Sequence, residues 1–154
     1  MIRVIGVGKV KEGPFRTLIK DYQQRICAYH FCQVEEVKDV PIVENDSAEN
    51  IKEKEAKNVL RIIKDDEFVI LLDLHGVEVS SEELARNLAS CLTKNPKICL
   101  VIAGSLGPGK SLYARANQRW KLSDLTFLHQ MTKVIVLEQI YRAFKINHHE
   151  KYHK

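Results

Sequence analysis

Apolar positions along the chain change period several times, and each change predicts an element. Ile2–Val7 reads as a buried strand that ends at Gly8. Pro14 then opens a helix: its missing N–H is no loss at a first turn, and Phe15, Leu18, Ile19, Tyr22 and Ile26 recur at helical spacing. Phe31–Val37 predicts a second strand, partly polar and so nearer a sheet edge. After the polar loop Asp39–Asn45, Asp46 or Ser47 caps a helix that should bury Ala56, Val59, Leu60 and Ile63.

Phe68–Leu74 is apolar almost throughout, as a strand at the centre of a parallel sheet requires, and Gly76 is expected to turn the chain. Ser80 with Glu83 forms a capping box for a helix carrying Leu84, Leu88, Cys91 and Leu92. Ile98–Ala103 is another buried strand, followed by the loop Gly104–Gly109. A short helix, an extended segment at Lys121–Phe127 and a long helix from about Gln130 to Ile146 complete the chain. Strands alternating with helices give one α/β domain, residues 1–154, with a mainly parallel sheet and helices on both faces. The last helix is apolar around much of its circumference (Met131, Val134, Ile135, Leu137, Ile140, Tyr141, Phe144), which points to a subunit interface as well as a core.

Composition adds limits. Apolar residues make up 45% and charged residues 29% of 154, which suits one hydrophobic core and not disorder. The longest apolar runs are too short to span a bilayer, and Met1-Ile2-Arg3 opens directly into a strand, so a cytoplasmic protein without membrane attachment is expected. Cys27, Cys32, Cys91 and Cys99 have no zinc spacing, and two of them sit in apolar patterns as small buried thiols. Charge is divided unevenly: residues 1–104 carry a net of −2 and residues 105–154 a net of +6. The basic last third could hold a phosphate backbone.

One motif competes for that role. Gly104–Ser111 spells G-S-L-G-P-G-K-S, a match to the phosphate-binding G-x-x-x-x-G-K-[ST] pattern, after a strand and before a helix. Val69–Asp73 even resembles a strand ending in a magnesium-holding aspartate. A nucleotide triphosphatase is therefore a rival. Against it, the aspartate strand comes first, only 43 residues follow Ser111, and Pro108 removes an N–H from a loop that would work through N–H groups.

The last third carries a more specific pattern. Leu122–Phe127, His129-Gln130-Met131, Val136–Ile146 and the terminal Tyr152-His153-Lys154 resemble the ribosomal RNA large subunit methyltransferase H family, of the SPOUT class. Val4–Lys9, Lys52–Glu55 and Leu72–Gly76 fit the same family, so the resemblance runs end to end. It implies a trefoil knot threaded by the C-terminal segment, a homodimer, S-adenosylmethionine as methyl donor and no metal. It implies as substrate a pseudouridine of 23S ribosomal RNA, methylated at N3 in the assembled ribosome. A non-catalytic RNA-binding module is the remaining alternative.

Carried over by position, the resemblance implies a cofactor pocket of Leu72, Ala103, Gly104, Leu122, Ser123, Asp124, Leu125, Thr126 and Phe127. Gly104 would let the main chain approach the ligand. Ala103, Leu128 and Lys133 depart from the family's usual glycine, proline and arginine. The N3 proton must leave, which needs a base. His153, beside Tyr152 in a tail that would reach the partner's site, is the first candidate, with Tyr152 and Arg142 in support; His129 is read as structural. Lys133, Arg142 and Lys154 are candidates for RNA contact. Lys133 and Arg142, nine residues apart on the last helix, are expected about 90° apart in azimuth, flanking one phosphate groove.

Overall fold

The computed structural model describes all residues, 1–154, as one α/β unit. Its elements are β1 (Ile2–Val7), α1 (Gly13–Cys27), β2 (Cys32–Val37), α2 (Ala48–Leu60), β3 (Phe68–Glu78), α3 (Ser81–Lys94), β4 (Ile98–Ile102), α4 (Lys110–Arg115), β5 (Gln118–Lys121) and α5 (His129–Asn147). The five strands are all parallel, in the order β2-β1-β4-β3-β5. No helix is long and apolar enough to cross a membrane.

Alternation along the strands fills two cores. Ile2 and Val4, Ile70 and Leu72, and Ile98, Leu100 and Ile102 point to the layer of α1, α3 and α5. Ile5, Val7, Val69, Leu71, Cys99 and Val101 point to α2 and α4. A strand covered on both faces is apolar at nearly every position, which is why these runs read as near-continuous; Arg3 in β1 is buried only because Glu35 and Glu67 pair with it. The central strand is β4; β3, expected at the centre, is fourth of five. Ser47 caps α2 through the N–H of Asn50, and the Ser80–Glu83 capping box is present on α3.

Two boundaries differ from expectation, for one reason. Leu72 and Val77 both register with Trp120, so Asp73–Gly76 bulges out of β3 and the strand then resumes against β5. Gly76 is therefore inside the strand and not a turn. A Cβ there would lie 2.7 Å from the Trp120 carbonyl carbon and 2.8 Å from that of Arg119. The pairing segment is Gln118–Lys121; of the segment Lys121–Phe127 expected to be extended, only Lys121 belongs to it, and residues 122–128 form an irregular loop leading to α5.

Candidate cofactor cleft and C-terminal tail

Ligands of parallel α/β sheets collect beyond the carboxyl ends of the strands. Here a cleft of about 700 Å³ opens at those ends, lined by the β3 bulge, the loop after β4 and the loop after β5. Of the nine expected cofactor residues, Leu72, Ala103, Gly104, Leu122, Ser123, Leu125, Thr126 and Phe127 line it. Asp124 does not: its carboxylate turns outward to the Lys121 ammonium. Across residues 123–127 only the Leu125 N–H bonds within the chain, to Ser123 Oγ at 3.0 Å, so the other main-chain donors remain available to the cleft. Gly104 has a further reason to be glycine, because a Cβ there would overlap the Glu55 carboxylate.

The same geometry counts against a triphosphate at Gly104–Ser111. The Ser111 N–H donates to Glu53 Oε2 at 3.2 Å, so a carboxylate of this chain already holds the place of a phosphate. Glu55 sets a second carboxylate against Gly104. Asp73 accepts from Tyr113 Oη at 3.1 Å and pairs with Arg119 at 3.4 Å. Two carboxylates beside the loop would repel a polyphosphate.

A smaller well of about 280 Å³ adjoins the cleft beyond β1 and β2, lined by Gly8, Asp39, Val40, Ile42, Glu55 and His129 among others. Glu55 is buried; its Oε1 accepts the Val40 N–H at 3.0 Å, and desolvation raises its pKa. His129 faces both cavities. Burial, and then the Lys133 ammonium, lower its pKa. Sequence reasoning missed this well. The available signal was the stripe Ile51-Glu55-Val59, which puts a carboxylate on the buried face of α2.

The tail residues lie elsewhere. Tyr152 Oη donates to Glu138 Oε1 at 3.1 Å, and the Arg142 guanidinium bonds the same carboxylate while stacking 4.7 Å from the Tyr152 ring centre. His153 Nε2 is 2.8 Å from Glu82 Oε1, and its Nδ1 is 3.3 Å from Arg142. Arg142, Tyr152 and His153 thus form one cluster, Lys154 follows it at the exposed chain end, and none of the four lines either cavity. Lys133 is a correction. Nine helical residues make two and a half turns, so Lys133 and Arg142 stand about 180° apart and not 90°. Lys133 is 1% exposed, its ammonium donates to the Gly8 carbonyl and lies 3.8 Å from Glu36, and desolvation lowers its pKa. It cannot flank a surface phosphate groove from there.

Comparison with known proteins shows the family. A family profile described as "Predicted SPOUT methyltransferase" matches residues 1–153. The ribosomal RNA large subunit methyltransferase H of Ureaplasma urealyticum serovar 10 is 44% identical over all of this chain and 99% of its own. That of Clostridium botulinum strain 657 is 43% identical, over 99% of each. The chain belongs to the ribosomal RNA large subunit methyltransferase H family. A probable methylase family protein from Haemophilus influenzae Rd KW20 shares the fold, with a TM-score of 0.56 at 15% identity; the match covers 96% of this chain and 66% of that one.

Proposed function

We propose that this chain is a methyltransferase that uses S-adenosylmethionine to methylate N3 of a pseudouridine in 23S ribosomal RNA within the assembled ribosome. The observation that carries the reading is the cleft, whose walls are built by Leu72, Ala103-Gly104 and the loop 122–127. The fit is chemical as well as positional. A cleft of about 700 Å³ suits a nucleoside-sized ligand. Leu72, Leu122, Leu125 and Phe127 offer apolar walls for adenine, and the free N–H groups of 123–127 offer donors for its edge and for a carboxylate. When bound, S-adenosylmethionine would supply an electrophilic methyl group.

The chain's own residues then have three tasks. The loops at 103–107 and 122–128 hold the donor still, because an in-line displacement is accelerated mainly by alignment. The exposed Leu125, Phe127 and Leu128 around the mouth exclude water once covered, as in a homodimer. Arg142, Tyr152, His153 and Lys154, outside their own cleft, would serve the cleft of a second copy, His153 and Tyr152 against the acceptor nucleobase and Arg142 and Lys154 on phosphate. A trefoil knot is part of the same reading: the chain leaves β5 at one sheet edge and returns over β3 and β4 to start α5 beside Gly8.

The test is transfer of labelled methyl from S-adenosylmethionine to 23S RNA in ribosomes that lack the modification. Label should appear at one pseudouridine, without a magnesium-ATP requirement, and far more slowly on protein-free RNA. No incorporation, or equal rates on ribosomes and naked RNA, would contradict the proposal. So would magnesium-dependent ATP binding lost in Lys110→Ala.

A further inference from the structure

The well beside the cleft lies outside the walls that would hold the methyl donor. Four residues line both cavities, Gly104, Ser105, Leu106 and His129, and His129 is the one titratable side chain among them. It stands at the junction. The well behind it presents acceptors: the Asp39 carboxylate, and Glu55, whose side chain is buried but whose second oxygen has no hydrogen-bond donor in the chain. At about 280 Å³ it lies just below the size of sites that hold drug-sized ligands, and it has room for a single six-membered ring.

We propose that this well receives the edge of the acceptor pyrimidine, with His129 taking the proton from the nitrogen that is methylated and one carboxylate of the well, Asp39 or Glu55, accepting from a second ring N–H where the base has one. The inference rests on the methyltransferase reading of the adjoining cleft. The step balances. The N–H electron pair forms the new N–CH3 bond as the S–CH3 bond breaks, the sulfonium leaves as a neutral thioether, and the proton goes to an imidazole nitrogen. The imidazole must be neutral beforehand, and its surroundings favour that. His129 begins α5 with its ring over Gly8, 3.3 Å from where a Cβ of that residue would lie. Charged groups reach it from each neighbouring element: Lys133 from α5, Lys11 from the β1–α1 loop, Asp39 and Glu55 from around the well, and Glu36 of β2 through Lys133. Burial and the two lysines outweigh Asp39, so the ring gives up its proton below the ordinary histidine value. Lys133 is then a positioning residue, because its bond to the Gly8 carbonyl fixes the turn beneath the ring.

Two measurements test the assignment. The first compares wild type with His129→Asn, with S-adenosylmethionine affinity measured by calorimetry and single-turnover methyl transfer to ribosomes measured against pH. Affinity should be unchanged, the rate should fall by about 100-fold or more, and the wild-type rise to a plateau with pH should disappear. The second needs no turnover and no variant. The His129 ring signals of the wild-type protein with S-adenosylhomocysteine bound are followed by NMR during addition of uridine or 3-methyluridine. Uridine, with its ring N–H, should shift them, and 3-methyluridine should not. An Asn variant as fast as wild type would overturn the proposal. A loss of cofactor affinity in that variant would make His129 a cofactor wall instead. Equal responses to the two nucleosides, or none, would likewise reject the well as the pyrimidine site. Wild type that fails to bind S-adenosylmethionine would bring down the parent reading and is scored separately.

Discussion

Single residues near the cleft carry opposing demands, and Lys133 shows how they are met. Its ammonium is buried against the Gly8 carbonyl, and its stem occupies the space that a Cβ at Gly6 would need. Desolvation holds its pKa below 10.5. The unfolded chain therefore binds more protons between the folded value and 10.5, and stability must rise with pH across that window. Below it the penalty is constant. Urea unfolding from neutral pH to pH 10 should show this contribution as a more positive slope of stability against pH in wild type than in Lys133→Met. In the variant the buried thiols Cys32 and Cys99, raised to about 12, leave a falling profile. The variant also loses its bond to Gly8, so its destabilisation at neutral pH should stay below about 3 kcal/mol. Equal slopes in the two proteins would remove Lys133 as the source. None of this was legible in sequence, because a lysine on an apolar helix reads as a surface charge until the opposite strand is seen to supply a glycine and a carbonyl.

Elements were more legible than their edges. Periodicity located β1 to β4 and all five helices, since strands covered on both faces are almost wholly apolar and α2 and α3 carry the named caps Ser47 and Ser80. The β3–β5 edge escaped it. Gly76 looks like a turn signal, but its lack of a Cβ serves close approach to the Arg119 and Trp120 backbone. Gly76→Ala should destabilise the fold by about 1–3 kcal/mol through overpacking. Because β5 leads into the loop 122–127, it should also weaken S-adenosylmethionine binding. Ser80→Ala is the control: loss of its cap costs about 1 kcal/mol and should leave cofactor affinity unchanged. Thermal melts and calorimetry on both variants separate the two outcomes. Unchanged affinity in Gly76→Ala would show that the loop holds its shape without that edge.

At the scale of the whole molecule, the cleft and the tail cluster lie apart in one chain. Most residues that line the cleft could be named from sequence because they lie in three short stretches, Leu72 inside β3 before its bulge and 103–104 and 122–127 just beyond β4 and β5. The placement of the tail could not, since it depends on where Glu138 and Glu82 stand in three dimensions. In the proposed homodimer, one copy's cleft is completed by another copy's tail. Two inactive variants test it: one lacks Tyr152-His153-Lys154, and the other, Ala103→Arg, has its cleft filled. Ala103 is the better site than Gly104, where any side chain would strike Glu55. The first should still bind S-adenosylmethionine and the second should not. Refolded together in equal amounts, about half of the two-fold dimers are mixed, and each mixed dimer holds one sound cleft beside one sound tail. Methyl transfer to ribosomes should return to about a quarter of the wild-type rate per site. Activity that stays at background, with mixed dimers present and folded, would contradict a site shared between copies.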